Sequence, residues 1–292
     1  MNLFTIFRQF PDQEACIAHL EELRWSDEPH CPLCGSFNVA RKNEGDRVGR
    51  WNCHECNSSF NVLSGTIMQK TRIPLQQWFM AIGLMINAKK SLSAYQLARD
   101  VELTPQTARY VQRRIRAAMA AEEAPLLQGL VEADETYVGG KPRKKNKATD
   151  REPAKRGRGT DKTPIIGAVE RGGKVVARVA TDLSGKGILR FLQGSVDAAG
   201  TLLITDEYRA YAAAARGHFQ HAIINHAMAY ADGETHTNTI EGFWALVKRA
   251  WYGSHHHYSY HWTPLFVAEA SWKYNHRKDE NAFSSFLRRV FR

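Results

Sequence analysis

The sequence has no long apolar run: its most hydrophobic stretch, FMAIGLMI at 79–86, falls well short of the roughly 18 residues a membrane helix needs. No membrane partner is expected. The first residues, MNLFTIFRQFPDQEA, hold one arginine and then acids, with no extended apolar core, so a secretory leader is not expected either. No Gly-x4-Gly-Lys-Ser/Thr loop occurs, and chemistry driven by ATP is therefore not implied. Cysteine is sparse, with five in 292 residues. Four of the five form two close pairs, which in a reducing intracellular setting points to metal rather than to disulfides. Acids are the minority charge, 30 against 40 Lys and Arg, for a net charge of +10. That balance favours an anionic partner, with nucleic acid first. A chain of this length, 43% hydrophobic, can build one large domain or two to three small ones.

The cysteine pairs are Cys31-x2-Cys34 and Cys53-x2-Cys56, with 18 residues between them. Two such turns can each offer two thiolates to one tetrahedral zinc, and no open ligand position is implied, so the metal reads as structural. Gly35 and Asn57 follow the second cysteine of each pair and suit the left-handed backbone such turns often require. The segment between the pairs reads as short strands around a glycine-containing turn, as in a zinc ribbon. Next come helices. LQQWFMAIGLMINAKK (75–90) is apolar enough to be largely buried, and 91–119 reads as two helices joined by a tight turn. Thr104 is a natural N-cap with Pro105 at the first helical position. Leu97, Ala98, Val101 and Leu103 pack inward, while Ala108, Val111 and Ile115 mark the apolar face of the second helix. Gln106, Thr107, Arg109, Arg113, Arg114 and Arg116 supply polar and cationic groups to its other faces, as a helix-turn-helix needs to enter a major groove.

From about residue 128 the pattern mixes strands and helices. GLVEADETYVGG is a strand, TPIIGAVERGGKVVARVATDL a hairpin around RGGK, GTLLIT a strand running into a helix, and HTNTIEGFWALVKRAWYG an amphipathic helix; a last helix covers roughly 263–275. Such an order predicts an α/β domain with a mixed sheet flanked by helices. Between the first two strands, residues 141–162 carry ten Lys or Arg against three acids and no large aliphatic side chain. This segment, with Lys141, Arg143, Lys144 and Lys145 at its start, reads as a basic loop that clamps a polyanion.

Acids inside a strand are poor strand formers and costly to desolvate, yet Glu132, Asp134 and Glu135 sit in the first strand of this domain. Asp206 follows LLIT, and Glu241 lies near the start of the amphipathic helix, with 34 residues between the two. Asp134, Asp206 and Glu241 form the set that phosphodiester chemistry requires, because two Mg²⁺ ions (or Mn²⁺) must flank a scissile phosphate and take hard oxygen ligands. Asn238, one helical turn before Glu241, is the alternative ligand or a supporting group. Glu132, Glu135 and Glu207 are set aside as ligands, although Glu132 shares a strand face with Asp134. Three consecutive residues rarely converge on one ion, so His255, His256 and His257, with Tyr258, Tyr260 and Trp262, read as a surface or local packing group. Trp244, Leu246 and Val247 read as core, and His236 as a possible substrate contact.

The ribbon ending in W-N-C-x-x-C, the segments EADETYVGGK, ITDEYRAY and HTNTIEGFWALVKR, and the later HHHYSYHW and KYNHRK together resemble bacterial insertion-sequence transposases of the IS1595 type, with an ISXO2-like domain, over roughly residues 10–280. The resemblance implies an RNase H-like core with a DDE triad, here Asp134, Asp206 and Glu241, although some members carry Asn at the third position. It also implies a basic residue at Lys248, two helical turns beyond Glu241, holding DNA near the metals with Arg249 beside it.

The expected organisation is a zinc ribbon with an N-terminal helix (1–70), a helix-turn-helix-like module (71–125), an RNase H-like catalytic domain (126–280) and a C-terminal tail (281–292). The expected activity is that of a DNA transposase which binds terminal inverted repeats, cleaves with Mg²⁺ and joins the ends to target DNA. Holding two ends implies a homodimer or larger assembly, cytoplasmic and nucleoid-associated in a bacterium. The alternatives are a non-catalytic zinc-ribbon and helix-turn-helix regulator, or another RNase H-like nuclease.

Overall fold

A computed structural model of the chain describes residues 2–26, 28–44, 47–140, 162–224, 236–257 and 259–291. The chain divides into two compact units, Met1–Ala118 with Lys278–Arg292, and Met119–Arg277.

In the first unit, helices α1 (Leu3–Gln9) and α2 (Gln13–Trp25) each begin at a side-chain cap. Asn2 accepts from the Thr5 amide and Asp12 from the Ala15 amide, both at 2.8 Å. Such caps satisfy backbone donors that a helix start leaves orphaned. The apolar helix α3 (Leu75–Asn87) buries Leu75, Trp78, Phe79, Ile82 and Met85. Phe79 meets Phe10 and Phe283, the latter from α10 (Ala282–Phe291), in edge-on contacts at 4.8 and 5.8 Å. The last residues, which the sequence suggested as a tail, thus contribute a helix to this core. Cys16, the cysteine outside the two pairs, lies on α2 and is fully buried. Burial first, and then Asp12, push its thiol up to about 12, which keeps it protonated and unreactive.

A three-stranded antiparallel sheet, β1 (Val39–Glu44), β2 (Arg47–Cys53) and β3 (Ser59–Asn61), carries the cysteine turns. Trp25 of α2 packs edge-on against Trp51 and Phe60 of this sheet, and the Trp51 indole donates to Glu21 at 2.9 Å. Helices α4 (Ala94–Asp100) and α5 (Pro105–Ala120) follow, joined through a turn in which Glu102 has φ +53°. As predicted, the Thr104 hydroxyl caps α5 by accepting from the Thr107 amide at 3.2 Å. Leu97, Ala98, Val101, Ala108, Val111 and Ile115 are buried; Leu103 is only half-buried.

The second unit is built on a five-stranded mixed sheet in the order β6-β5-β4-β7-β8. β4 (Leu130–Val138), β5 (Thr163–Glu170) and β6 (Val175–Val179) form an antiparallel meander. β7 (Leu202–Thr205) and β8 (Gln220–Ile223) run parallel to β4. This is the predicted RNase H-like mixed sheet, flanked by helices. The short β8 escaped the sequence reading because QHAI offers neither strong alternation nor a long apolar run. Helices α6 (Gly185–Gln193) and α7 (Arg209–Ala215) cover one face, over Val131, Ala133, Ala168 and Leu203. Helices α8 (Asn238–Arg249) and α9 (Thr263–Asn275) cover the other, over Val138, Ile165, Val169 and Val175. A π-helical turn, Ala250–His255, directly follows α8.

Candidate active site

The strand alternation of β4 assigns its acids to faces. Val131 and Ala133 belong to the core under α6 and α7, so Glu135 shares that side; Val138 belongs to the core under α8, so Glu132 and Asp134 share that one. The parallel register pairs Ala133 with Thr205, the last residue of β7. Asp134 and Asp206 therefore follow side by side where β7 ends. Both oxygens of Asp134 accept hydrogen bonds, Oδ1 from the Glu135 amide at 2.7 Å and Oδ2 from the Trp244 indole N–H at 3.0 Å. Burial, and then the negative charges of Glu135 and Asp206, push the Asp134 carboxyl up to about 7. Asp206 Oδ1 accepts from the Tyr208 amide at 3.1 Å, and the Thr205 hydroxyl donates to the Asp206 carbonyl at 2.9 Å. Glu241, in the first turn of α8, is exposed and accepts from the Thr237 hydroxyl at 3.2 Å. Asn238 starts the same helix, also exposed.

Asp134 and Asp206 are thus brought together, with Glu135 close enough to act on Asp134. Among the described residues, the three acids are not gathered as tightly as the cysteines are. The donor set is nonetheless one that a hard divalent cation fits: carboxylate oxygens in the middle of β4, just past the end of β7 and at a helix start, with burial first and neighbouring negative charge second raising one carboxyl to about 7. A cation there would relieve that repulsion. Glu207 is exposed, as expected of a residue outside the set.

Trp244, read from sequence as core, is core: it is 2% exposed. It is also a hydrogen-bond donor to Asp134, which the sequence reading missed. Its seat depends on Gly167, which pairs with Asp134 across β4 and β5. Directly paired residues share a sheet face, and a Cβ on Gly167 would lie 2.6 and 2.9 Å from the Trp244 ring. The available signal was a lone glycine inside the apolar run IIGAV, which in a strand often marks close approach of another group.

Glu132 is fully buried and answers the question its position in a strand raises. It pairs with Arg171 at 2.7 Å and accepts from the start of α8. His236 belongs to the same group: its carbonyl accepts from Arg171 at 2.9 Å, and its Nδ1 lies 3.3 Å from Glu132. The His236 side chain, read as a substrate contact, is half-buried beside this group.

The four cysteines converge as the spacing predicts. Their sulfurs all lie within 4.8 Å of one another, with Cys31 to Cys56 at 3.7 Å and Cys34 to Cys53 at 3.5 Å. A tetrahedral zinc with four thiolates sets sulfurs about 3.8 Å apart, so the cluster fits a structural zinc. Gly35 and Asn57 have φ +76° and +52°, as the turn chemistry requires.

Of the proposed nucleic-acid contacts, Gln106, Arg109 and Arg113 are exposed on α5 and Thr107 is half-buried; Lys248 and Arg249 are exposed at the end of α8. Arg114 differs from these. It is half-buried, and its guanidinium donates to the carbonyls of Ile67 and Thr66 at 2.7 and 3.3 Å, so it braces the backbone. Arg116, counted among the cationic groups, is buried beside Gln112 and Ser91. Lys141, Arg143, Lys144, Lys145 and the basic loop lie outside the described residues, Lys162 apart, as does Tyr258. His255 packs on Phe266 and His261 on Trp262, which bears out local packing; Tyr260 is exposed. No helix among the described residues is long and apolar enough to cross a membrane.

Comparison with known proteins agrees along the chain. Residues 126–275 match the ISXO2-like transposase domain and residues 11–59 the transposase zinc-ribbon domain. An uncharacterized protein in transposable element ISH50 of Halobacterium salinarum is 31% identical over 249 residues, covering 81% of this chain and 82% of that protein. Among solved structures, a pre-cleavage Mos1 transpososome aligns with 70% of this chain and 76% of its own at 12% identity and a TM-score of 0.27. The Mos1 strand transfer complex aligns with 71% and 77% at 12% identity and a TM-score of 0.28. By its domain matches and its relative, the chain belongs to the ISXO2-like transposases of the IS1595 type, the transposases of insertion sequences.

Proposed function

We propose that the protein binds the terminal inverted repeats of its insertion sequence, cleaves at their ends with divalent metal, and joins the freed 3′ ends to target DNA. The observation that carries this reading is the pairing of Ala133 with Thr205, which sets Asp134 beside Asp206 next to the helix that bears Glu241. Asp134, Asp206 and Glu241 would hold the ions. Magnesium, or manganese in its place, would supply Lewis-acid activation of the attacking oxygen and charge neutralisation at the leaving one. Glu241 is preferred to Asn238 as third ligand. At 100° per residue Glu241 lies about 60° around α8 from Trp244, which touches Asp134, whereas Asn238 lies about 120° away. Lys248 lies about 20° from Glu241 by the same count, so its ammonium is placed to hold a phosphate near the acids, with Arg249 beside it. Gln106, Thr107, Arg109 and Arg113 on α5 would contact DNA, and Lys141, Arg143, Lys144 and Lys145 would add phosphate contacts. Two ends must be held at once, which calls for a homodimer or larger assembly on DNA, in the cytoplasm at the nucleoid.

The test is strand cleavage and joining on a labelled duplex taken from the DNA flanking the gene. Wild type should nick at the repeat end with Mg²⁺, while Asp134→Asn and Glu241→Gln bind the duplex without cutting. Cleavage retained in Glu241→Gln but lost in Asn238→Ala would move the third ligand to Asn238. Tight binding with no cutting by wild type would instead favour a regulator.

A further inference from the structure

Helix α8 starts without a cap of its own: Thr237, at the N-cap position, makes no side-chain capping bond and its hydroxyl donates to Glu241 instead. The cap comes from a residue over a hundred positions earlier. Glu132 Oε2 accepts from the amides of Thr239 and Ile240 at 2.8 and 3.0 Å, and Oε1 accepts from the Thr239 hydroxyl at 2.9 Å. Arg171 Nε adds a fourth bond, to Oε1, at 2.7 Å. A carboxylate offers about four acceptor sites, so Glu132 is saturated. It is no metal ligand, although it stands two residues from Asp134 on the same strand face. Its charge is balanced by the guanidinium and by the positive end of the helix dipole.

A second tie runs from the same helix to the same strand, the bond from Trp244 to Asp134 at 3.0 Å. The two ties agree in spacing. From Glu132 to Asp134 the strand advances about 6.7 Å, and from Thr239 or Ile240 to Trp244 the helix advances about 6 to 7.5 Å. Two attachment points of equal pitch fix both the height and the rotation of α8 along β4.

On the reading of Asp134, Asp206 and Glu241 as metal ligands, we infer that Glu132, clamped by Arg171, is the positioning residue that sets the register of α8, and so of Glu241, against Asp134. The inference rests on that reading and can fail separately from it.

The experiment uses the full chain with its zinc in place and Mn²⁺ as probe, bound ion being read by electron paramagnetic resonance. Asp134→Asn should abolish tight Mn²⁺ binding. Glu132→Gln keeps shape but loses charge and puts an NH₂ donor in place of one of the two oxygens that accept the Thr239 and Ile240 amides and the Arg171 guanidinium. It should weaken Mn²⁺ binding about tenfold and cleavage about 100-fold, the range for residues that orient ligands. Duplex binding and the near-ultraviolet circular dichroism should stay as in wild type. Amide exchange at Thr239 and Ile240 should quicken. Thr239→Val removes only the hydroxyl bond and should weaken Mn²⁺ by less than the roughly tenfold expected of a full orienting contact; it carries the test alone if Glu132→Gln does not fold. Should both variants bind Mn²⁺ as wild type does while Asp134→Asn does not, the positioning role is overturned and the acidic site stands. Wild-type Mn²⁺ affinity in Asp134→Asn would remove the acidic site and the positioning role together.

Discussion

The cysteine cluster and the acidic cluster bring anionic side chains together in opposite ways. Each cysteine pair sits in a single tight turn. Gly35 N–H donates to the Cys31 carbonyl, the Cys31 and Cys53 amides donate to Ser36 and Ser58 carbonyls, and a left-handed residue follows each pair. Nothing beyond those turns and one antiparallel register is needed to bring four sulfurs within 4.8 Å. The acids come from β4, the end of β7 and the start of α8, and the contacts that position them come from residues far apart in the chain: Trp244, Gly167, Glu132 and Arg171. A closed structural site is encoded locally. The acidic group is assembled by long-range contacts and buries a carboxyl beside other negative charges, burial first and the charges second holding Asp134 up at about 7.

The largest effect should follow from emptying the sulfur site. Cys31 and Cys53 are fully buried, and structural zinc commonly contributes on the order of 10 kcal/mol to folding a small module. Cys31→Ser, or chelation, should unfold the ribbon and abolish the near-ultraviolet signal of Trp25 and Trp51. An unchanged spectrum after measured zinc release would mean that the packing of α2 on the ribbon suffices, and the contrast would lose one side.

Next in size is Asp134→Asn, which should remove cleavage altogether while stabilising the protein freed of divalent cations. The sign follows from the raised carboxyl. Between its usual value of 3.8 and about 7, the folded state keeps a proton that the unfolded chain has lost, so stability falls as pH rises through that window. The penalty is absent below about pH 4 and complete above about pH 7. Asparagine should therefore add on the order of 2 kcal/mol at about pH 8, less at about pH 5, and little once Mn²⁺ is present. Urea melts at the two pH values check this; an equal gain at both would mean that charge crowding is not what distinguishes the acids from the cysteines.

The same contrast decides what the sequence could disclose. The ribbon's ligands, both left-handed residues, the hairpin at RGGK, the strand at Leu202–Thr205 and the helix at Thr263–Asn275 were legible because each rests on local spacing or turn chemistry. The three acids could be singled out by residue type, but which neighbours hold them could not. Glu132 looked like any strand acid until Thr239 and Ile240, over a hundred residues on, supplied its partners. Arg114 looked like a free cation on a basic helix face until the carbonyls of Thr66 and Ile67 claimed it. Charge is visible in a sequence; the tertiary partner that uses it is not.

A smaller effect is expected at Gly167. Alanine there would press its Cβ into the Trp244 ring, at 2.6 Å from the nearest ring atom, and overpacking of this kind costs about 1 to 3 kcal/mol. A thermal melt should show that loss, and cleavage should fall with it as the indole leaves Asp134. A neutral melt would show that the ring has room to shift, and that the site depends less on distant residues than the comparison claims.

Trp244→Phe should give the smallest change and the sharpest one. Phenylalanine keeps an aromatic ring on α8 but deletes the N–H that reaches Asp134 Oδ2, together with the outer indole carbons Cζ2 and Cη2 that lie over Gly167. The lost bond is one to a charged acceptor, roughly 1.5 to 3 kcal/mol when nothing replaces it. Asp134 retains the Glu135 amide on Oδ1 and regains water on Oδ2, so the bond itself accounts for a loss of about 1 kcal/mol and about tenfold in cleavage. The indole bond holds the Asp134 carboxyl down, so the variant should push it further up, and the pH at which cleavage reaches half its plateau should rise. Full activity with an unmoved pH profile would mean that Asp134 needs no help from α8. The acidic site would then be as locally determined as the cysteine site, and the difference between the two centres would be one of ligand chemistry alone.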